Sequence, residues 1–229
     1  MTRPDSLTLP EEVLLLALHD EKGTTGMDSM YSYALGGAIL AELLMAQRIR
    51  LDTSRQKTVH LVNAKPVGNP LLDECLLRLV DAGKPVAAQT WVSRFATLKR
   101  LKHRLAEGLC DRGILRSDQD RLLLVFSRRT YPEIDPAPER ALVERLRQAI
   151  FSDTSTLDPR TVVLVALANS AGLLKNIFDR RELRGRKARI ERIVEGEVIA
   201  AATQAAIEAV QAAVMVAVIL PTITTAATS

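Results

Sequence analysis

The chain has 229 residues, of which 47% are hydrophobic, 25% charged and 3% aromatic, with a formal net charge of +4. This composition excludes disordered, collagen-like and coiled-coil classes, and with so few aromatics the core must be built from Leu, Val, Ile and Ala, which favours closely packed helices. Cys75 and Cys110 share no short spacing, so neither a zinc site nor a disulfide framework is expected and a reducing, cytoplasmic setting fits.

In chain order, Pro10, Glu11 and Glu12 suit a helical first turn, because proline lacks only an N–H that would be orphaned there and acids complement the helix dipole. This helix is predicted to run to about Leu18. Its apolar run, bounded by His19 and Asp20, is too short for a signal peptide. Gly23 to Asp28 reads as a loop. Ala34 to Ala46, with Glu42 as its one charge, reads as a central helix, and Gly36 and Gly37 permit a close approach. Arg48 to Leu51 and Thr58 to Val62 alternate polar and apolar residues around Asp52 to Gln56, a short hairpin. Asn69 and Pro70 cap and open a helix that Gly83 ends.

Val86 to Phe95 and Leu98 to Arg112 are predicted helical, the second carrying Leu98, Leu101, Leu105 and Leu109 at three- and four-residue spacing. Ile114 to Arg116 and Leu122 to Phe126 are predicted as a second hairpin, with Arg128 and Arg129 beyond its last strand. Pro132, Pro136 and Pro138 mark a loop before the amphipathic Ala141 to Ile150. Asp158 and Pro159 open an apolar helix, Thr161 to Ala171, expected at the centre of the fold. Val198 to Leu220 is long enough to cross a bilayer. Gln204, Glu208 and Gln211 interrupt it, however, and Ala supplies much of its apolarity, so a packed helix is expected. The whole predicts a mainly α, single globular domain over 1–229, with a central helical bundle, surrounding amphipathic helices and short β-hairpins. Residues 1–6 and 221–229 are expected to be tails.

Positive charge is concentrated. Arg94, Lys99, Arg100, Lys102 and Arg104 follow one another with no acid between them, and Lys175 to Arg192 holds eight basic residues against Asp179, Glu182 and Glu191. The remainder of the chain is net negative, so these stretches point to a surface that meets phosphate groups, against the alternative of solvated helix faces. Catalytic chemistry finds no such support. His19, His60 and His103 lack ligand-spaced partners, the glycines form no phosphate-cradling run, and Ser170 is not in a nucleophile elbow. No catalytic residue, metal or cofactor is assigned and no enzymatic activity is expected.

Several ordered segments carry a resemblance. Leu7-Thr8-Leu9-Pro10-Glu11-Glu12-Val13-Leu14-Leu15-Leu16 is followed by Asp20-Glu21-Lys22-Gly23, then by Leu40-Ala41-Glu42-Leu43 and Gln47-Arg48-Ile49-Arg50-Leu51. Further on come Pro66-Val67-Gly68-Asn69-Pro70-Leu71-Leu72-Asp73-Glu74 and Arg104-Leu105-Ala106-Glu107-Gly108-Leu109 with Gly113-Ile114-Leu115. Together these resemble the Golgi phosphoprotein 3 family, from Leu7 to about Leu220. The resemblance implies a single, mainly helical domain with a protruding hairpin and a peripheral membrane protein. In eukaryotic members it reads phosphatidylinositol 4-phosphate and connects coat proteins to glycosyltransferase tails.

Those members hold the phosphate with two basic residues three apart on one helix, a Trp, and a basic or small residue near the first loop. Aligned through Arg104-Leu105-Ala106, the basic pair falls on Lys99 and Lys102, where helical spacing would set both ammonium groups on one face. Met27 stands nearest the Trp position and Gly36 at the other. Only Arg3 stands for the clustered arginines of the family's tail, so coat binding is not expected. The short tail, the Ala-rich C-terminal stretch and the simplified pocket resemble the prokaryotic branch.

The expectation is a cytoplasmic protein that docks reversibly on an anionic phospholipid or phosphorylated headgroup through Lys99, Lys102, Arg100 and Arg104. Met27 and Gly36 would form the pocket loop, and Arg128 and Arg129 a membrane-contacting hairpin. Membrane-protein tails and a second copy of the chain are further candidate partners. Nucleic acid is not expected, although a basic helix before a hairpin has the element order of a winged helix; a concave pocket at the lysines rather than a convex face separates the two. An interaction scaffold is the third reading, favoured where salt bridges consume the basic clusters.

Overall fold

The computed structural model describes residues 6–18, 28–122, 126–199 and 205–214. Helix α1, Leu9–Leu18, opens on a cap supplied by Glu11, whose carboxylate accepts the Thr8 N–H at 2.7 Å and the Thr8 hydroxyl at 2.9 Å. Every residue from Leu9 to Ala17 is buried. Helix α2, Asp28–Met45, begins six residues before the predicted start and packs along α1. Helix α7, Pro159–Ser170, starts at Asp158, whose carboxylate accepts the Thr161 N–H at 3.0 Å. Its residues Thr161 to Ala168 are at most 2% exposed. The predicted central helix is thus central, touching α1, α2 and also α6, Ala137–Phe151.

Strands β1, Ile49–Leu51, β2, Thr58–Leu61, and β3, Val86–Ala87, form an antiparallel sheet in that order. Val86 and Ala87 pair with Val59 and Thr58 instead of starting a helix. Helix α3, Pro70–Asp81, is capped by Asn69, which accepts the N–H groups of Leu71 and Leu72. Helix α4, Ala88–Ala96, crosses α2 at Gly36. A Cβ there would stand 2.4 Å from the Val92 carbonyl oxygen and 2.9 Å from the Ala96 nitrogen, so the backbones meet only because Gly36 has no side chain.

Helix α5, Leu101–Asp111, starts later than predicted. Arg100 adopts the left-handed conformation, φ 58°, which breaks the helical path and leaves Leu98 to Arg100 in a turn. The second hairpin also differs. Its strands are β4, Asp118–Leu122, and β5, Phe126–Thr130, while Ile114 to Arg116 contributes one bridge, from Leu115 to Glu133. Arg128 and Arg129 therefore lie within β5, opposite Asp120 and Gln119. The apolar run around Leu122 draws the prediction, but the strand pairing extends through the polar residues on either side of it. Helix α6 starts before Ala141 because Pro136 and Pro138 belong to its N-cap and first turn.

Short helices α8, Leu174–Ile177, α9, Arg180–Gly185, and α10, Lys187–Val194, precede a bridge between Ile199 and Leu157. Helix α11 covers 205–214. Of the predicted single helix from Val198 to Leu220, Val198 and Ile199 are not helical, and 200–204 and 215–220 lie outside the described residues. Within α11, Ala206, Glu208, Ala209, Val210, Ala212 and Ala213 are buried while Ile207 is 38% exposed. Glu208 reaches across the fold to accept the Leu51 N–H at 2.7 Å. Among the described residues no helix is long and apolar enough to cross a membrane.

Buried charge ties the bundle at one end. The Arg160 guanidinium donates to Glu12 Oε1 at 3.2 Å, to both Glu42 oxygens at 3.2 Å and to the Leu7 carbonyl at 2.7 Å. Glu42 also accepts the Leu9 N–H at 2.5 Å, and Arg145 lies 3.0 Å from Glu12. Burial is the largest influence on Glu12 and pushes its carboxyl up against the pull of Arg160 and Arg145.

Candidate functional site

The end of α3, helix α4 and the Leu98–Arg100 turn enclose an open cavity of about 550 Å³, lined chiefly by Arg78, Asp81, Trp91, Arg94, Leu98 and Lys99. Each wall has a local cause. Trp91 and Phe95 face the core from α4, 3% and 0% exposed, with ring centroids 5.4 Å apart. Arg94, one turn on from Trp91, lays its guanidinium 4.7 Å from the indole centroid, a cation–π contact that holds the charge at the cavity wall. The left-handed Arg100 ends the turn that sets Lys99 at the rim.

Three cations and one carboxylate, Asp81, line the space. Arg78 is paired with Glu74 at 2.9 Å. Arg94 and Lys99 form no ion pair among the described residues. Converging cations beside a half-enclosed space suit a phosphate or carboxylate group.

Of the residues singled out from the sequence, Lys99 is at this cavity. Arg100 is turned to Glu107 at 2.8 Å and Arg104 to Glu74 at 2.5 Å, so salt bridges consume part of the first basic cluster. The Arg104 hydrogen bond is the main cause that holds the Glu74 carboxyl below its usual range. Lys102 is half-buried on α5 and does not line the cavity. Because Lys99 precedes α5, the two lysines do not share one helix face. Gly36 is buried at the α2–α4 crossing and is not a wall of the cavity. Met27 lies outside the described residues, and Arg128 and Arg129 are placed by backbone register alone.

Sequence reasoning missed Arg78, Trp91 and Asp81 as neighbours of Lys99, since only tertiary packing brings α3 to α4. The i to i+3 spacing of Trp91 and Arg94 was the one legible signal. Elsewhere the chemistry is quiet. Desolvation, the largest cause, pushes the buried Cys75 thiol up to about 12, which removes it as a thiolate nucleophile at neutral pH. Among the described residues no group of His, Cys, Asp and Glu is placed to hold a metal ion.

These features define a mainly helical protein with a basic surface cavity and, among the described residues, no membrane-crossing helix. The family model of Golgi phosphoprotein 3 (GPP34) matches residues 9–210, and the chain belongs to that family. It is similar to vacuolar protein sorting-associated protein 74 of Schizosaccharomyces pombe, 29% identical over 222 residues, covering 82% of this chain. The chain spans 65% of that relative's length. The relative is a yeast protein, and nothing in the comparison favours the prokaryotic branch.

Proposed function

We propose that the chain is a peripheral membrane protein that docks reversibly, from the cytoplasmic side, on anionic phospholipid headgroups of the phosphoinositide kind. The observation that carries this reading is the cavity where Arg94 and Lys99, neither in an ion pair among the described residues, converge beside Arg78. Family membership supports it. The role is one of recognition without catalysis, as an adaptor between the membrane and membrane-protein tails. A concave setting for Lys99 suits a headgroup better than a duplex. Lysine at the rim lacks the bidentate fork of arginine, so selectivity among headgroups is expected to be modest.

Flotation with vesicles of phosphatidylcholine, alone or mixed with phosphatidylserine or phosphatidylinositol 4-phosphate, tests the reading, with duplex DNA in the same buffer as a control. The protein should float with the anionic vesicles and less so in high salt, because exposed charges are screened over about 8 Å at physiological ionic strength. Arg94→Glu with Lys99→Glu should abolish flotation. No association of the wild type with either anionic vesicle at low salt refutes the proposal.

A further inference from the structure

The second basic stretch divides by its contacts into two sets. Arg186 donates to Asp153 Oδ1 at 3.1 Å and to the Phe151 carbonyl at 2.7 Å, and Arg189 donates to the carbonyls of Ala149 and Thr154 at 3.2 and 2.6 Å. Those two cations fasten α10 to the end of α6 and to the chain just beyond it. Lys175, Arg184 and Lys187 instead surround a cavity of about 380 Å³ floored by Leu174, Leu183 and Ile190. Lys175 and Arg184 are exposed and form no ion pair among the described residues. Lys187 has only Glu191, at 3.6 Å on the same helix, with both side chains more than half exposed, an arrangement of little energetic weight.

We infer that this groove docks an acidic peptide segment of a partner protein, one that carries a bulky apolar side chain among its carboxylates. The apolar floor takes the side chain. The three cations come from three different helices, α8, α9 and α10, and line the same space as the apolar floor, with Glu191 as the carboxylate among them. Several cations beside an apolar floor complement a segment that carries both carboxylates and an apolar side chain. Helix α10 packs on α7 whereas α4 packs on α2, so this groove and the Lys99 cavity belong to different walls of the bundle. The inference does not depend on the membrane reading, and each can fail alone.

The test is fluorescence anisotropy with a labelled synthetic octapeptide of aspartate and glutamate around one central leucine. Two companions replace the leucine by alanine or all the acids by lysine. The wild type should bind the leucine peptide several-fold more tightly than the alanine version and should not bind the lysine version. Arg184→Glu with Lys187→Glu should weaken binding roughly tenfold, since two exposed pairs are turned into repulsions. The charge-matched control Arg55→Glu with Lys84→Glu, both exposed far along the chain, should change it little. Circular dichroism checks that both variants fold. Equal losses in the two double variants would mean diffuse electrostatics and overturn the inference. So would equal affinity for the leucine and alanine peptides, no binding at all, or displacement of the peptide by phosphatidylserine vesicles that bind the groove in its place.

Discussion

Replacing Arg160 by methionine keeps a straight side chain of similar length and removes the charge that joins Glu12, Glu42 and the Leu7 carbonyl. Two carboxylates whose side chains are 4% and 8% exposed would then share the end of the bundle, with Arg145 beside one and the Leu9 N–H on the other. Breaking a buried ion pair by removing one partner costs about 3 to 5 kcal/mol. The Arg160 side chain is 23% exposed, so the lower end applies, about 3 kcal/mol. For a chain of this size each kcal/mol lowers Tm by about 2 °C, giving a fall of about 6 °C near neutral pH.

The pH dependence follows from Glu12, whose carboxyl burial already raises in the wild type. A folded state that binds this proton more tightly than the unfolded chain is favoured at low pH and loses that advantage as pH rises through the folded pKa. Without Arg160 the carboxyl rises further, so the deficit against wild type should be largest near about pH 8 and smaller near about pH 5. Thermal melts by circular dichroism across that range give the comparison. Adding Glu12→Gln and Glu42→Gln to Arg160→Met should restore much of the loss, because neutral groups tolerate the site. A deficit below about 1 kcal/mol at neutral pH, or one that grows on acidification, refutes the reasoning.

Gly36→Ala should cost at least about 2 kcal/mol in chemical denaturation, because its Cβ would press on backbone atoms of α4 that cannot rotate away. Asp52 accepts hydrogen bonds from the Ser54 hydroxyl, the Thr58 N–H and the Ser54 N–H, and His60 Nε2 lies 3.3 Å away; these hold its carboxyl well below the usual range. Asp52→Asn should therefore speed amide exchange at Thr58 at neutral pH, and the difference from wild type should vanish in acid, as the wild-type carboxylate takes up its proton. Cys75→Ser places a hydroxyl among leucines and should cost about 1 to 3 kcal/mol in melts while leaving vesicle flotation unchanged.

What could be read from the sequence was what local chemistry decides. Pro10 with Glu11 and Glu12, Asn69 with Pro70 and Asp158 with Pro159 open helices where they stand, and the unbroken apolar run from Val162 to Ala168 is the core. Gly36 announced a close approach without saying to what. The turn at Leu98–Arg100 was hidden because leucines at helical spacing run through it, and only the left-handed Arg100 shows that the path breaks. That break separates Lys99 from Lys102, so a site inferred from helical spacing became one built from α3, α4 and a turn. Glu208 was legible as a residue unsuited to lipid, yet its partner lies 157 positions earlier in the chain, beyond the reach of any local pattern.

That long-range contact bears on how the molecule avoids sticking to itself. Strand β1 is one of the two outer strands of its sheet, and an outer strand offers its outward N–H groups to any extended segment that passes. The outward Leu51 N–H is already taken by the Glu208 carboxylate. A second copy adding a strand there would have to displace α11 and then meet a carboxylate where it needs a carbonyl. The same residue that spoils a run of alanines as a membrane anchor thus guards the β1 edge against strand addition, and keeps an alanine-rich helix seated on the fold that made it.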